Sequence, residues 1–313
     1  MQNSPQIIIC AGKGGVGKTL SATSLAVYSA ATAPTALIDQ DGGHSVARTL
    51  GLAKKLPHNE LVEVMPNLRC LVVENYKYVS INASKGAGWT FQRYMSQFPE
   101  DFGYMALADM PFDFFGIPTD VILLQKFLVL VHAFHRLKNE GVKRIIVDVE
   151  PTAGLERLLV NAATTARSLR NLNNQGKIKM SLLGVAWPDI AAYIGGEYIV
   201  NIEKYIARFE EAVARLTDAL FLVVVIPKTL PIEQAFEIRT KIQGLGGRVH
   251  AYIVNDMTGA SYESRNIVVL EKGIGRAPIL FLGHYDELEE DDGKIEFLRG
   301  IGKKISNLVP TGF

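Results

Sequence analysis

The hydrophobic residues of this chain are concentrated in short runs that polar residues hardly interrupt. The runs cover residues 7–11, 35–38, 145–147, 220–226, 251–254 and 278–282. A strand buried on both faces carries apolar residues at successive positions, whereas a strand with one solvated face alternates. The pattern therefore predicts six strands of a mostly parallel sheet that is covered on both faces.

Longer stretches with helical spacing of apolar residues separate these runs. They cover residues 20–27, 155–171, 190–217 and 232–245. Alternation of buried strands with helices is typical of the doubly wound α/β class, and we predict that class here. In such folds ligands bind at the carboxyl ends of the strands.

Two stretches are too long to be simple connections in this scheme, about 76–140 and 184–219. We interpret residues 1–313 as a single domain and these two stretches as helical insertions. The first is rich in aromatic residues and methionine. These side chains fit either a core of the insertion or a groove for a client protein.

A glycine-rich loop lies between the first predicted strand and the first predicted helix. It reads Gly12-Lys13-Gly14-Gly15-Val16-Gly17-Lys18-Thr19. This is the P-loop spacing, in which backbone amides converge on phosphates, Lys18 reaches the outer phosphate oxygens and Thr19 holds Mg²⁺. The sequence therefore predicts a site for ATP or ADP with Mg²⁺.

Acidic residues follow two of the predicted strands. Asp148 ends the strand that starts near Arg144, which is the arrangement of a magnesium-binding acid. Asp39 and Asp41 follow the second strand, and we expect Asp39 in the magnesium shell and Asp41 to orient the attacking water. A turn or helix-capping role is the alternative for both Asp39 and Asp41.

The extra lysine at position 13 makes the loop similar to the deviant Walker A loop. That loop belongs to dimeric ATPases that include ParA, MinD, the nitrogenase iron protein and ArsA. The resemblance implies that Lys13 crosses a dimer interface to the nucleotide of the partner chain; a solvated loop lysine is the alternative. We include Leu20 among the nucleotide-binding positions, although it lacks the second hydroxyl often found there, and we expect one inner-phosphate contact to be missing.

Three further segments resemble the ArsA and tail-anchored-protein targeting ATPases. Asp41 with His44 and Ser45 is similar to the Asp-Pro-Ala-His-Ser turn of that family. Residues 148–159 resemble its switch segment at identical length, with departures at 149, 150, 153 and 154. Asn255 ends a strand that resembles the family strand whose terminal asparagine hydrogen-bonds adenine, so the resemblance implies the same role for Asn255. An asparagine that only forms a turn at the strand end is the alternative.

The resemblance implies an ATP-hydrolysing switch that works as a homodimer or as a dimer with a related chain. Its output would be binding and release of a client protein or control of a membrane partner. The alternative is a ParA- or MinD-type positioning ATPase acting on DNA or a membrane surface. Two cysteines, Cys10 and Cys70, are too few for metalloid chemistry or a zinc-bridged dimer, and we expect both to be buried.

Charge and hydropathy indicate whether the protein binds nucleic acid or spans a membrane. Lys and Arg number 33 against 32 Asp and Glu, so the net charge of +1 gives no strong sign of nucleic acid binding. The longest hydrophobic stretch, 121–134, is too short to span a bilayer, and we expect a cytoplasmic protein without a transmembrane segment. The amphipathic end, 295–308, is interpreted as a last helix packed against the sheet, with a MinD-like membrane tail as the alternative.

Overall fold

The computed structural model describes residues 4–40, 45–58, 60–73, 130, 133–149, 170, 207, 210–285 and 293–310. The chain divides into two compact units. The first comprises Met1–Glu74, His132–Leu159 and Ala214–Phe313, and the second comprises Asn75–Val131 and Val160–Val213. Nearly all described residues belong to the first unit. The predicted insertions lie mostly outside the described residues, so they stay predictions.

The described part of the first unit contains an eight-stranded sheet. Its strands are β1 (Gln6–Ala11), β2 (Thr35–Asp39), β3 (Leu61–Met65), β4 (Leu68–Val72), β5 (Arg144–Asp148), β6 (Leu220–Val225), β7 (Val249–Met257) and β8 (Ile279–Gly283). Their spatial order is β3-β4-β2-β5-β1-β6-β7-β8, and every neighbouring pair is parallel except β3 with β4. All six predicted strands are present, and the α/β class with a mostly parallel sheet is confirmed.

The antiparallel pair β3–β4 goes beyond the six predicted strands. The turn between these strands contains Asn67 with φ of 63°, a left-handed conformation that asparagine tolerates better than most residues. Arg69 interrupts the apolar run of β4, and β3 lies at the sheet edge with mostly half-buried side chains. Neither strand therefore carries the unbroken hydrophobic pattern of the central strands.

Five helices have both ends within the described residues. They are α1 (Lys18–Ala30), α2 (Ser45–Thr49), α3 (Thr229–Gly244), α4 (Ser261–Ile274) and α5 (Lys294–Ser306), and residues 133–139 and 210–217 are also helical. The helices predicted at 20–27 and 232–245 are confirmed. Helix α4 was not predicted, because its buried apolar side chains are only Leu270 and Ile274 while Val268 and Val269 are exposed. No helix in the described ranges combines the length and the apolar character needed to cross a bilayer.

The last helix, α5, packs against α1 and so covers the apolar face that the sequence predicted. Leu298, Ile301 and Ile305 are buried in this contact. At Gly302 the helices approach so closely that an added Cβ would lie 2.1 Å from the main-chain oxygen of Ser24. The buried residues of α5 belong to the same hydrophobic core as residues of β6, β7 and β8, which agrees with the expectation that the last helix packs against the sheet.

The strand register places the predicted acids side by side. Asp39 at the end of β2 is the direct partner of Asp148 at the end of β5, and Asp148 is also opposite Cys10 on β1. The glycine-rich loop leaves β1 at the same edge of the sheet. The fold therefore gathers the candidate phosphate and magnesium residues at the carboxyl ends of three adjacent strands.

Candidate functional site

The glycine-rich loop begins beneath the backbone of a neighbouring strand. A Cβ atom added to Gly12 would lie 2.4 Å from the main-chain oxygen of Val224 on β6. That distance is too short for any side chain, so only glycine allows the loop to leave β1 so close to β6. The position of Gly12 thus fixes the start of the loop against the sheet.

Two further glycines give the loop its curvature. Gly15 and Gly17 have φ of 78° and 94°, in the left-handed region that glycine enters without steric cost. Gly17 caps α1, and its carbonyl oxygen accepts from the amide nitrogen of Ser21 at 3.0 Å. The loop therefore ends at the amino terminus of a 13-residue helix, where unpaired amides and the helix dipole favour phosphate.

Asn255 holds the other side of the loop. Its Nδ2 donates to the main-chain oxygen of Val16 at 3.1 Å, and a Cβ on Gly17 would lie 2.2 Å from the same nitrogen. The amide is buried, and its Oδ1 has no hydrogen-bond partner in the described part of the chain. Sequence reasoning placed Asn255 near the nucleotide but missed this contact, which joins β7 directly to the phosphate loop.

The two loop lysines differ in their surroundings. Lys18 is buried, and its Nζ donates to the main-chain oxygen of Lys13 at 3.0 Å, so its charge is held against the loop. The Lys13 side chain is half-buried and makes no hydrogen bond or ion pair with any described residue. One ammonium group therefore faces the chain's own loop, and the other is accessible from outside.

Thr19 and Asp148 meet at the amino end of α1. The Thr19 hydroxyl donates to Oδ2 of Asp148 at 2.6 Å, and both Asp148 and its sheet neighbour Asp39 are buried. A hydroxyl and carboxylates are the hard oxygen ligands that Mg²⁺ prefers. The donor set that the structure brings together here fits a magnesium ion shared with phosphate oxygens.

Charges around the site also affect the cysteines. Burial raises the pKa of the Cys10 thiol far above its usual range; the Asp148 carboxylate adds to this shift and Lys18 opposes it. Burial, and then the Asp39 carboxylate, raises the pKa of Cys70 to about 12. Both thiols stay protonated at neutral pH, which agrees with the expectation that they are small buried hydrophobes.

The segment after Asn255 is fixed by Glu263, in the first turn of α4. The carboxylate accepts from the amide and hydroxyl of Thr258 at 3.0 and 2.7 Å and from the amide of Gly259 at 2.9 Å. These hydrogen bonds lower the pKa of Glu263, and the bond from the Thr258 hydroxyl has the largest effect. Sequence reasoning missed this residue, because Ala260 occupies the N-cap position at which the capping-box signature has Ser or Thr.

Not every predicted position can be placed. Asp41, His44 and residues 150–159 lie outside the described residues, so the water-orienting acid and the switch segment stay predictions. Leu20 is half-buried and packs against the hydrophobic core around α1. Its side chain thus contributes to the core, and its place among the nucleotide-binding positions stays a prediction.

A glycine loop between β1 and α1, with acids at the ends of β2 and β5, defines the fold of a P-loop NTPase. The family model of the anion-transporting ATPases (ArsA ATPases) matches residues 5–272, and the chain belongs to this family. It is therefore an ATPase, and the resemblance predicted from the sequence is confirmed.

Three curated relatives are each named ATPase GET3. The chain is 25% identical to that of Kluyveromyces lactis over 301 residues, which cover 91% of this chain and 81% of the relative. It is also 25% identical to that of Candida glabrata over 300 residues, which cover 91% of this chain and 81% of the relative. It is 26% identical to that of Meyerozyma guilliermondii over 270 residues, which cover 80% of this chain and 72% of the relative.

Proposed function

We propose that the chain is a dimeric switch in which binding and hydrolysis of Mg²⁺-ATP control its affinity for a client protein or a membrane partner. The observation that carries the proposal is the contrast between the loop lysines, with Lys18 buried against its own loop and Lys13 half-exposed beside it. A loop that serves only its own nucleotide has no need of the second cation. We also propose that the switch works in the cytoplasm, where ATP is supplied.

The nucleotide is held by parts of the chain that the described strands fix in place. The amides of the segment 12–20 and the Lys18 ammonium surround the phosphates, and Asn255 lies at the adenine side. The buried Oδ1 of Asn255 is an acceptor without a partner in the described residues, which suits a bond from the adenine amino group while Nδ2 holds Val16.

Thr19, Asp39 and Asp148 would hold the magnesium ion. Bound there, Mg²⁺ neutralises charge on the phosphate oxygens. The chain contributes a preformed pair, since Thr19 and Asp148 already lie within hydrogen-bonding distance of each other. The register partner of Asp148, Asp39, adds a second carboxylate at the same edge.

Asp41 orients the attacking water and accepts its proton. Support comes from the residue before it, Gln40, which is buried. The main-chain amide of Gln40 donates to the main-chain oxygen of Asp148 at 2.9 Å. The chain is therefore still bonded to β5 at the residue that precedes Asp41 in the sequence. This bond supports the proposal, because it ties the segment that leads into Asp41 to the strand that carries Asp148.

Lys13 of one chain acts on the nucleotide of the other. A cation that arrives only when two chains close stabilises the charge of the transferred phosphoryl group late in the reaction. Closure and hydrolysis are then coupled, and the closed dimer differs in surface from the open one. Membership of a family whose relatives include ATPase GET3 supports a client-binding output over the ParA- or MinD-type alternative.

The Asp41→Asn variant tests this function. With ATP and Mg²⁺ it binds nucleotide but hydrolyses it slowly, and in sedimentation it runs as a dimer with captured client. Lys18→Ala, which loses the phosphate contact, is the matched control and stays a monomer. An Asp41→Asn chain that remains monomeric at saturating ATP contradicts the proposal.

A further inference from the structure

A second cavity, with a volume of about 400 Å³, lies far from the phosphate loop in the described part of the first unit. It is formed where the amino ends of β7 and β8 meet the last turns of α3 and α4. The glycine-rich loop follows the carboxyl end of β1, and β1, β6, β7 and β8 are parallel. The cavity is therefore at the opposite edge of the sheet, and the proposed ATPase cycle does not use it.

The cavity is strongly basic although the chain as a whole is nearly neutral. Arg239, Arg248, Arg276 and His250 line it, and none of its ten lining residues is acidic. Within the described ranges, Arg248 and Arg276 are exposed and form no ion pair with a carboxylate. Guanidinium groups that converge without a carboxylate attract anions, and their planar donors match the oxygens of phosphate.

The wall of the cavity contains an unsatisfied buried hydroxyl. Tyr252 on β7 is 0% exposed, and its phenolic oxygen has no hydrogen-bond partner among the described residues. Native proteins rarely leave a buried hydroxyl in this state, because it has lost its bonds to water. Burial raises the pKa of Tyr252 to about 12, with Arg239 opposing the shift, so the group is a neutral donor at physiological pH.

We propose that this cavity binds a small organic phosphate, whose phosphate group lies among the three guanidinium groups and accepts from the Tyr252 hydroxyl. The volume is in the range of small-molecule sites. Apolar lining from Val249, Ile274 and Pro278 suits the organic part of the ligand. Three cations favour a phosphate dianion over a single carboxylate.

The position of the cavity separates its ligand from the nucleotide. Because the two sites lie at opposite edges of the sheet, the phosphate ligand does not compete with ADP for the glycine loop. Binding can therefore be measured on full-length protein saturated with Mg²⁺-ADP, which blocks the loop. Phenyl phosphate is the probe, since it joins a dianion to a small apolar ring, and phenol is the control without charge.

Calorimetry with this complex should show saturable binding of one phenyl phosphate per chain and no binding of phenol. Arg248→Gln and Arg276→Gln should each weaken the affinity about tenfold, the size expected for loss of a charge-assisted hydrogen bond. Tyr252→Phe, which keeps the ring, should weaken it about threefold. Arg265→Gln, at an exposed arginine of α4 outside the cavity, should leave the affinity unchanged.

Absence of saturable binding, or equal weakening by Arg265→Gln, overturns the proposal. Binding of a duplex oligonucleotide without binding of phenyl phosphate also overturns it and makes the arginines a nucleic-acid contact. Vesicles that contain phosphatidic acid distinguish the sources of the phosphate. If the vesicles compete with phenyl phosphate, the phosphate that the cavity binds is that of a lipid headgroup. If they do not compete, the phosphate belongs to a soluble metabolite, and either result supports the site.

Discussion

The side-chain nitrogen of Asn255 lies 3.1 Å from the main-chain oxygen of Val16, so the end of β7 is bonded to the middle of the phosphate loop. The two residues are 239 positions apart in the sequence. With Gly12 against β6 and Thr19 bonded to Asp148 on β5, the loop is fixed by three strands. A loop held in this way needs little reordering when nucleotide binds, which favours affinity.

Removal of the Asn255 amide should weaken ADP binding. Asn255→Ala leaves the Val16 carbonyl without its donor and frees the loop, and we expect roughly a three- to tenfold loss of affinity, the value of one hydrogen bond. Calorimetric titration with Mg²⁺-ADP measures it. Thr240→Ala is the control, because the Thr240 hydroxyl also donates to a main-chain oxygen, that of Phe236, in the last turns of α3 and away from the loop. Equal losses in both variants would mean that the effect is a general one on the fold.

Substitution of Gly17 should be far more damaging than substitution of Gly15. Both have positive φ, so alanine is strained at either position by about 1–2 kcal/mol. At Gly17 the added Cβ also meets Asn255 Nδ2 at 2.2 Å, whereas at Gly15 nothing lies within 4 Å. We expect Gly17→Ala to abolish measurable ADP binding and Gly15→Ala to reduce stability in urea with a smaller loss of binding. Similar binding by the two variants would contradict the close contact seen here.

The contribution of Glu263 should depend on pH. Its pKa is lower in the folded protein, so its stabilising effect is complete above the pKa of the unfolded chain and is lost as pH falls through the folded value. The unfolded value for glutamate is about 4.3. Urea midpoints of wild type and Glu263→Gln should therefore differ at neutral pH and converge only as the pH falls below the unfolded value and through the lower folded value. Glu237→Gln, at an exposed position on α3, should track wild type throughout. A gap between Glu263→Gln and wild type that is constant with pH would argue against the carboxylate bonds.

Local pattern was sufficient for the parts of the fold that depend on short segments. The unbroken runs around Ile8, Ile146 and Val223 predict the central strands because both faces of those strands are buried. The spacing of the sequence was also sufficient to predict the loop glycines, the hydroxyl of Thr19 and the acid Asp148 at the end of β5. Their contact agrees with the chemistry expected from the sequence.

Features that depend on distant parts of the chain could not be predicted in this way. The bond from Asn255 to Val16 needs the order of β1, β6 and β7 in the sheet, which no local pattern contains. The contact of Gly302 with Ser24 makes α1 a neighbour of α5, and the amphipathic spacing of α5 does not indicate which helix lies beside it. From the sequence, Tyr252 is an ordinary strand residue. The arginines that line the cavity with it come from α3 and from the segments before β7 and β8, and no local pattern brings them together.

The action of Lys13 across a dimer is tested most directly by mixing two inactive variants. Lys13→Ala binds ATP but lacks the crossing cation, and Asp41→Asn keeps that cation and the ability to dimerise but loses the carboxylate that orients the attacking water. In a mixed dimer the competent loop of the first chain receives Lys13 from the second. Equal mixing makes half of the dimers mixed with one active site of two, so about a quarter of wild-type hydrolysis should return. A mixture no more active than the sum of its separate components, or Lys13→Ala alone at the wild-type rate, would contradict the account.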